Sequence, residues 1–294
     1  MTEVLHASRA GTSQHRRPWT FRGTAGHLLG LAIAAVFVAP IAWTALTSLK
    51  PAAESRLPPL PPWPTSGVSF ENYAALNSFG GGFLQSAMNS VTVAVATTLL
   101  TAVVSLLAGY GFSRHRFPLE GLCFVLVLAT IMIPFQSIVI PIFLILSTLH
   151  LQNSLLGLTL VYVTLQLPFA VFMMRNSFDA VPKEIEEAAR MDGATSFQML
   201  VLALLPLVWP GLVTVCLFAF LNSWNEFFGA LVLLTDQSKY TLPIMVAAVQ
   251  SGRFGAVNWG AVQAGVTVMM IPCLILFLLL QRFYIRGLTA GAVK

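Results

Sequence analysis

Lys183–Gly211 reads KEIEEAARMDGATSFQMLVLALLPLVWPG and is the longest polar-to-apolar passage between two strongly apolar segments. Its first part predicts a short helix. Pro182 suits a first helical position, where a missing N–H costs nothing. Glu184, Glu186 and Glu187 fall in the first turns, where negative charge complements the helix dipole. Glu186 and Arg190 are spaced to pair as i,i+4. Ile185, Ala188 and Ala189 give a narrow face of small and apolar side chains, which lets another surface approach closely. Gly193 is the natural stop. Thr195 and Gln198 then form a T-x-x-Q capping box for a second helix running into the apolar segment from Leu200. The stretch therefore predicts helix, glycine turn, helix, held at a membrane surface.

Composition sets the class. The 294 residues are 56% hydrophobic and 9% charged, with mean hydropathy +0.79, where soluble domains carry about 25% charged residues. The fold class expected is all-α, a polytopic membrane protein. Cys123, Cys216 and Cys273 each lie within an apolar segment and no C-x-x-C occurs, so neither a disulfide framework nor a zinc site is expected. The five histidines are scattered and no H-E-x-x-H is present. The basic balance is better explained by topology than by nucleic acid, which is not expected as a partner.

Six apolar segments each exceed the ~20 residues needed to cross a bilayer. They lie at about 27–49, 84–112, 119–146, 154–174, 200–223 and 259–281. A polar tail, 1–26, precedes them and lacks the apolar core of a signal peptide. The transmembrane domain is drawn at 27–283, with a loop at 175–199 and a C-terminal tail at 284–294. Pro40 interrupts the first span, and Pro134 and Pro141 predict a kink in the third. The prolines between Pro58 and Pro64 predict a stiff, extended connector in the loop 50–83. Six spans put both termini on one side. That side carries 12 of the 16 basic residues: Arg9, Arg16, Arg17, Arg22, Arg114, Arg116, Arg175, Lys183, Arg190, Arg282, Arg286 and Lys294. Lys50, Arg56, Lys239 and Arg253 are the 4 on the other. By the positive-inside rule the termini and the 175–199 loop are cytoplasmic.

Glu187-Ala188-Ala189, Asp192-Gly193-Ala194 and Leu205-Pro206-Leu207, followed by Pro210-Gly211, resemble the EAA loop of ATP-binding-cassette importer permeases. The competing reading is a cytoplasmic loop with no partner, but the whole spaced set between two apolar segments is specific. The sequence 69–76, SFENYAAL, is similar to a segment that follows the first span of sugar-type permeases. The end of the chain, QRFYIRGLTAGAVK from Gln281, resembles the end of maltose-type permease subunits. These likenesses cover roughly 27–294. They imply that the two short helices are coupling helices, which seat in a cleft of a cytoplasmic ATPase through Glu187, Ala188, Ala189, Asp192, Gly193 and Ala194. Ala188, Ala189 and Gly193 would be small because the helix lies against that partner. They also imply that the tail, with Gly287, Thr289 and Gly291, reaches between two ATPase subunits; a basic anchor on anionic membrane lipid is the competing reading.

The same resemblance implies a bacterial inner-membrane location and a set of partners: a homologous second permease, an ATPase dimer and an extracytoplasmic solute-binding protein. The expected function is ATP-driven alternating access for a sugar or oligosaccharide, with no bond chemistry in this chain. The alternatives are the same importer class for a glycerophosphodiester or another polar solute, and a carrier driven by an ion gradient. The span interiors carry essentially no ionisable residue, which argues against ion coupling, although backbone carbonyls can bind sodium. None of the four lysines follows a glycine, so the phosphate-binding loop G-x-x-x-x-G-K-[ST] is absent. ATP and magnesium belong to a separate chain, and this chain needs no cofactor or metal.

Neutral amides sit at span depth: Asn89, Gln136, Gln166, Asn222 and Gln263. A buried amide is costly unless hydrogen-bonded. Two readings fit: a lining for a hydroxyl-rich solute, or bonding between helices. The run Asn222-Ser223-Trp224-Asn225-Glu226-Phe227 ends the fifth span and is similar to W-N-E runs of sugar-type permeases. Trp224, Asn225 and Glu226 are candidates to contact a sugar, against an interfacial aromatic belt with polar caps.

Overall fold

The apolar segments fold as helices because a chain in lipid must satisfy its backbone groups internally. The computed structural model describes residues 21–55, 60–79, 81–253 and 257–290. No strand occurs among them. Among the described residues five helices are long and apolar enough to cross a membrane, and a bent pair makes a sixth if its two halves count as one span. The chain divides into Met1–Trp43 and Thr44–Lys294. Most of helix α1, Phe21–Ser48, belongs to the first unit; it starts before His27, contains Pro40 and exposes its apolar side chains from Leu28 to Val38.

The second unit is organised on α2 (Phe83–Arg114) and α5 (Leu155–Asp179). These two helices run parallel. A Cβ added to Gly109 would lie 2.5 Å from Met174 Cβ and 2.9 Å from the backbone nitrogen of Arg175, so the helices touch near their C-terminal ends. At the opposite end, Asn89 Nδ2 donates to the carbonyls of Ser238 (2.9 Å) and Tyr240 (3.0 Å). Asn153 Oδ1 accepts from the backbone N–H groups of Thr235 and Asp236, both at 3.1 Å. Asn153 and Asn89 are thus at the same end. Since α2 and α5 run the same way, the chain between them must return once.

That return is made by α3 (Glu120–Met132) and α4 (Phe135–Thr148), which meet at 105°. The kink expected of the third span is therefore a break. Ile133 precedes a proline, which disfavours the helical region for it, and it adopts φ −83°, ψ 115°. Pro134 follows at φ −61°, ψ 128° and supplies no N–H. Pro141, about two turns further on, stays inside α4.

Helix α7 (Ser196–Asn225) runs antiparallel to α2 and α5. Its Gly211 abuts Ser177 of α5, whose hydroxyl fills the space a Cβ would need. Its far end brings Ser223 to 3.5 Å from Thr97 of α2. The polar-apolar mixture 226–258 holds two short helices, α8 (Phe228–Leu233) and α9 (Leu242–Gln250). Helix α10 runs Trp259–Ala290, past the boundary drawn at 283 from composition.

Pro58 and Pro59 of the proline-rich connector lie outside the described residues, but the segments on either side of 56–59 meet instead of running apart. Glu54 accepts from the N–H groups of Thr65 (3.0 Å) and Ser66 (2.9 Å) and from the Ser66 hydroxyl. The Ser66 hydroxyl, then the Thr65 N–H, pull the Glu54 carboxyl down to about 2. A depressed carboxyl contributes above its ordinary pKa and is lost as pH falls through the folded value; this clasp is intact at any pH above about 4.5. Behind it, buried Asn72 donates to Ser48 O (3.0 Å) and Lys50 O (2.7 Å), tying the loop to the end of α1.

Candidate functional site

At the end of the bundle where α2 and α5 finish lies the helix–glycine–helix loop. Its first helix, α6, spans Glu184–Met191 with three glutamates in its first turn. Gly193 stops it at φ +78°, a backbone conformation that glycine adopts freely. Gly193 N–H donates to Arg190 O and Ala194 N–H to Ala189 O, both at 3.0 Å. This pair of bonds is the Schellman arrangement, which satisfies the last helical carbonyls. Thr195 then opens α7 with the capping box: its Oγ1 accepts from Gln198 N–H (3.3 Å) and its N–H donates to Gln198 Oε1 (2.9 Å). After one turn the helix widens into π geometry over Met199–Leu204 before continuing as α-helix.

Helix α6 has two unlike sides. Ile185 and Ala189 are half-buried and pack on a core of Tyr110, Met174, Phe178, Met199, Leu200 and Leu204. Glu184, Glu187, Ala188 and Met191 lie on the other side and are exposed, with Met191 at 87%. Phe197, on the first turn of α7, is 73% exposed. Asp192 and Gly193 are exposed and Ala194 is half-buried. The expected single face of Ile185, Ala188 and Ala189 is thus split. Ala189 is small because of the chain's own core, and the free face carries Ala188.

Glu186 also departs from expectation. It is buried and pairs with Arg114, the last residue of α2, not with Arg190. The two side chains are 5% and 7% exposed. Arg114 Nη2 further donates to Phe178 O and Val181 O, both at 2.8 Å, and Nη1 to Ser113 Oγ at 3.1 Å. Ser113 Oγ in turn donates to Asp179 Oδ1 at 2.6 Å. Arg175 reaches Asp179 (3.7 Å) and Glu120 (3.6 Å), with its guanidinium 4.1 Å from the centroid of Phe124. The partly exposed Arg175 pairs contribute at most ~1 kcal/mol each. Removing one partner of the buried pair costs about 3–5 kcal/mol, because the other charge stays buried. No motif in the sequence marks this network. Only the basic link after α2 hinted at it, through topology alone.

The candidate pathway residues separate into two groups. Asn89 is buried and spends both donors on the Ser238 and Tyr240 carbonyls. Trp224 is buried, stacks on Phe220 at 5.8 Å and donates Nε1–H to Met269 O at 3.0 Å. Glu226 accepts from the Tyr162 hydroxyl and from the N–H groups of Gly229 (2.8 Å) and Ala230 (3.1 Å), which starts α8. These three serve the fold with the atoms that were candidates for solute. The others keep exposed surface. Gln166 Oε1 accepts from exposed Asn222 (3.0 Å), exposed Asn225 donates to Leu221 O (2.8 Å), and exposed Gln136 opens α4 just after the break. The break also brings Phe135 against Phe228, rings 6.1 Å apart. It thereby sets α4 beside the W-N-E run. Gly287 and Thr289 lie in the last turns of α10, and Gly291 lies outside the described residues.

Glu226 gives a direct test of this division. Glu226→Ala leaves the buried Tyr162 hydroxyl and two amides without their acceptor, at ~1–3 kcal/mol. Thermal unfolding in detergent should drop by several degrees, at about 2–4 °C per kcal/mol, and Glu226→Gln, which keeps one acceptor oxygen, should fall between the two.

Residues 101–289 match the family described as binding-protein-dependent transport system inner membrane component. The chain is 36% identical over 257 residues to the diacetylchitobiose uptake system permease protein DasC of Streptomyces coelicolor, covering 87% of this chain and 92% of that protein. It is 33% identical over 274 residues to the trehalose transport system permease protein SugB of Mycobacterium tuberculosis, covering 93% and 98%. It is 32% identical over 268 residues to the arabinooligosaccharides transport system permease protein AraQ of Bacillus subtilis, covering 91% and 94%. Its fold is that of a chain in the crystal structure of a bacterial ABC transporter involved in the import of the acidic polysaccharide alginate, with TM-score 0.75 and 22% identity over 93% of this chain and 100% of that one. A helix–glycine–helix loop on a bundle of membrane-crossing helices, matched over nearly two thirds of the chain by one family and along most of its length by these permeases, makes this protein a member of the binding-protein-dependent transport system inner membrane component family and a permease subunit of an ABC importer.

Proposed function

We propose that this chain forms half of a translocation pathway for a sugar or oligosaccharide, opened to each side in turn by a separate ATPase. The observation that carries it is the outward side of α6, where Glu184, Glu187, Ala188 and Met191 stand with Phe197 and are left exposed by the described residues. Acidic groups beside exposed apolar ones suit a partner that offers a cleft with basic or hydrogen-bonding groups. Glu187, Ala188, Asp192 and Gly193 form the contact, while Ala189 and Ala194 hold the helix from behind. ATP and magnesium are bound by that partner. The remaining partners are a second, homologous permease and an extracytoplasmic binding protein that selects the solute. The end of the chain, including Gly287, Thr289 and Gly291, reaches the ATPase pair. The termini and α6 are cytoplasmic.

The carbohydrate reading is supported by the solutes named for the relatives and by the uncharged amides Gln136, Gln166, Asn222 and Asn225, whose donors and acceptors suit hydroxyl groups. Closure of the ATPase pair on ATP moves α6, and the crossing helices reorient with it.

Proteoliposomes holding the assembled importer test this. Radiolabelled oligosaccharide should accumulate only with ATP and be indifferent to protonophore and sodium ionophore, and the purified chain alone should hydrolyse no ATP. In cells, a cysteine at Thr195 should react with an impermeant thiol reagent only after permeabilisation, and one at Ser66 without it. Uptake that survives loss of the ATPase and collapses with an ion gradient overturns the reading in favour of an ion-driven carrier.

A further inference from the structure

We propose that Arg114 is the positioning residue that makes α6 move as one body with α2 and α5, so that a push on α6 reaches the membrane crossings as displacement and not as local bending. This rests on the reading of α6 as the docking helix. An 8-residue helix is too short to be stable by itself. Its apolar contacts, through Ile185 and Ala189, resist removal from the core but not sliding across it, because burial is non-directional. Charge-assisted bonds from a planar guanidinium fix direction as well as distance.

Arg114 is placed to do this for three elements together. It ends α2 itself. Its Nε–H donates to Glu186, in the first turn of α6. Its Nη2 donates to Phe178 O in the last turn of α5 and to Val181 O in the link between α5 and α6. Ser113, which accepts from Nη1, is itself bonded to Asp179 at the end of α5. A lysine has one compact ammonium and does not reproduce the fork. The free side of α6 is the opposite one, so the clamp and the docking face do not compete.

The test uses two readouts. In the chain with Cys123, Cys216 and Cys273 replaced by serine, spin labels at exposed Met191 and Val103 report the position of α6 relative to α2. The distance distribution should be narrow in the parent, broad in Glu186→Gln and Arg114→Gln, and intermediate in Arg114→Lys. In the unlabelled assembled importer, the two glutamine variants should keep the ATPase bound and hydrolysing but transport about tenfold less solute per ATP, and the double variant should be no worse than the poorer single one, since partners in one interaction do not add. Glu186→Gln alone carries the test if Arg114→Gln fails to reach the membrane, because it leaves both carbonyls capped. Unchanged distributions, or single effects that multiply in the double variant, overturn the proposal. If the docking reading fails instead, the parent does not retain the ATPase while the distributions still broaden.

Discussion

Ala188→Trp should leave the chain in the membrane at parental level and cut solute uptake about tenfold or more, equivalent to at least ~1.4 kcal/mol at the contact. Ala189→Trp, one residue on, should fail in a different way. Ala188 is exposed on the acidic side of α6, so a bulky ring there points away from the described core and obstructs a partner. Ala189 packs against the core around Tyr110, Met174 and Phe178. An indole there overfills a close-packed region, at ~1–3 kcal/mol or more. The measurements are membrane abundance, thermal stability in detergent, co-purification of the ATPase and radiolabelled uptake. Loss of ATPase retention with normal stability is expected for Ala188→Trp, and loss of stability for Ala189→Trp. Equal stability and equal retention in both variants would mean that the two sides of α6 are wrongly assigned.

Gly109→Leu should be among the most destabilising single changes in the transmembrane unit, and Gly111→Leu, two residues away on the same helix, should be nearly silent. At Gly109 even a Cβ meets Met174 Cβ at 2.5 Å and the backbone of Arg175 at 2.9 Å, and backbone does not yield as a side-chain tip does. The α2–α5 contact must open, and the Arg114 bonds to Phe178 and Val181 loosen with it. At Gly111 nothing lies within 4 Å of the added atom. Thermal unfolding of both variants in detergent, with membrane abundance, separates them; similar midpoints would contradict the close parallel packing of α2 on α5.

Local signals in the sequence were legible. The glycine stop at Gly193 and the Thr195–Gln198 box follow from neighbours a few residues apart, and the structure keeps them; of the six apolar segments five are single long helices and the other is the bent pair. What escaped was long-range. Arg114 and Glu186 are 72 residues apart in the chain and Asn89 and Tyr240 are 151 apart; nothing in either local sequence names its partner. Asn153 and Asn72, each a node joining distant loops, look in sequence like ordinary loop polar residues. The α6 faces were misjudged for a related reason. Spacing tells which residues share a side of a helix but not which side meets the chain's own core. The severity of the Pro134 break was underestimated because a proline in a membrane helix often only bends it, and Pro40 and Pro141 do stay within helices. The W-N-E run illustrates the limit for sites: by sequence Trp224, Asn225 and Glu226 are candidates to contact a sugar, yet Trp224 and Glu226 use their polar atoms inside the chain.

The break between α3 and α4 also bears on how the third crossing is held. At ~1.5 Å per residue each half is about 20 Å long, short of the ~30 Å hydrocarbon layer. Neither half is therefore long enough to cross by itself. The third crossing is therefore held by what packs against the break, including Phe135 on Phe228, and not by the hydropathy of 119–146 alone.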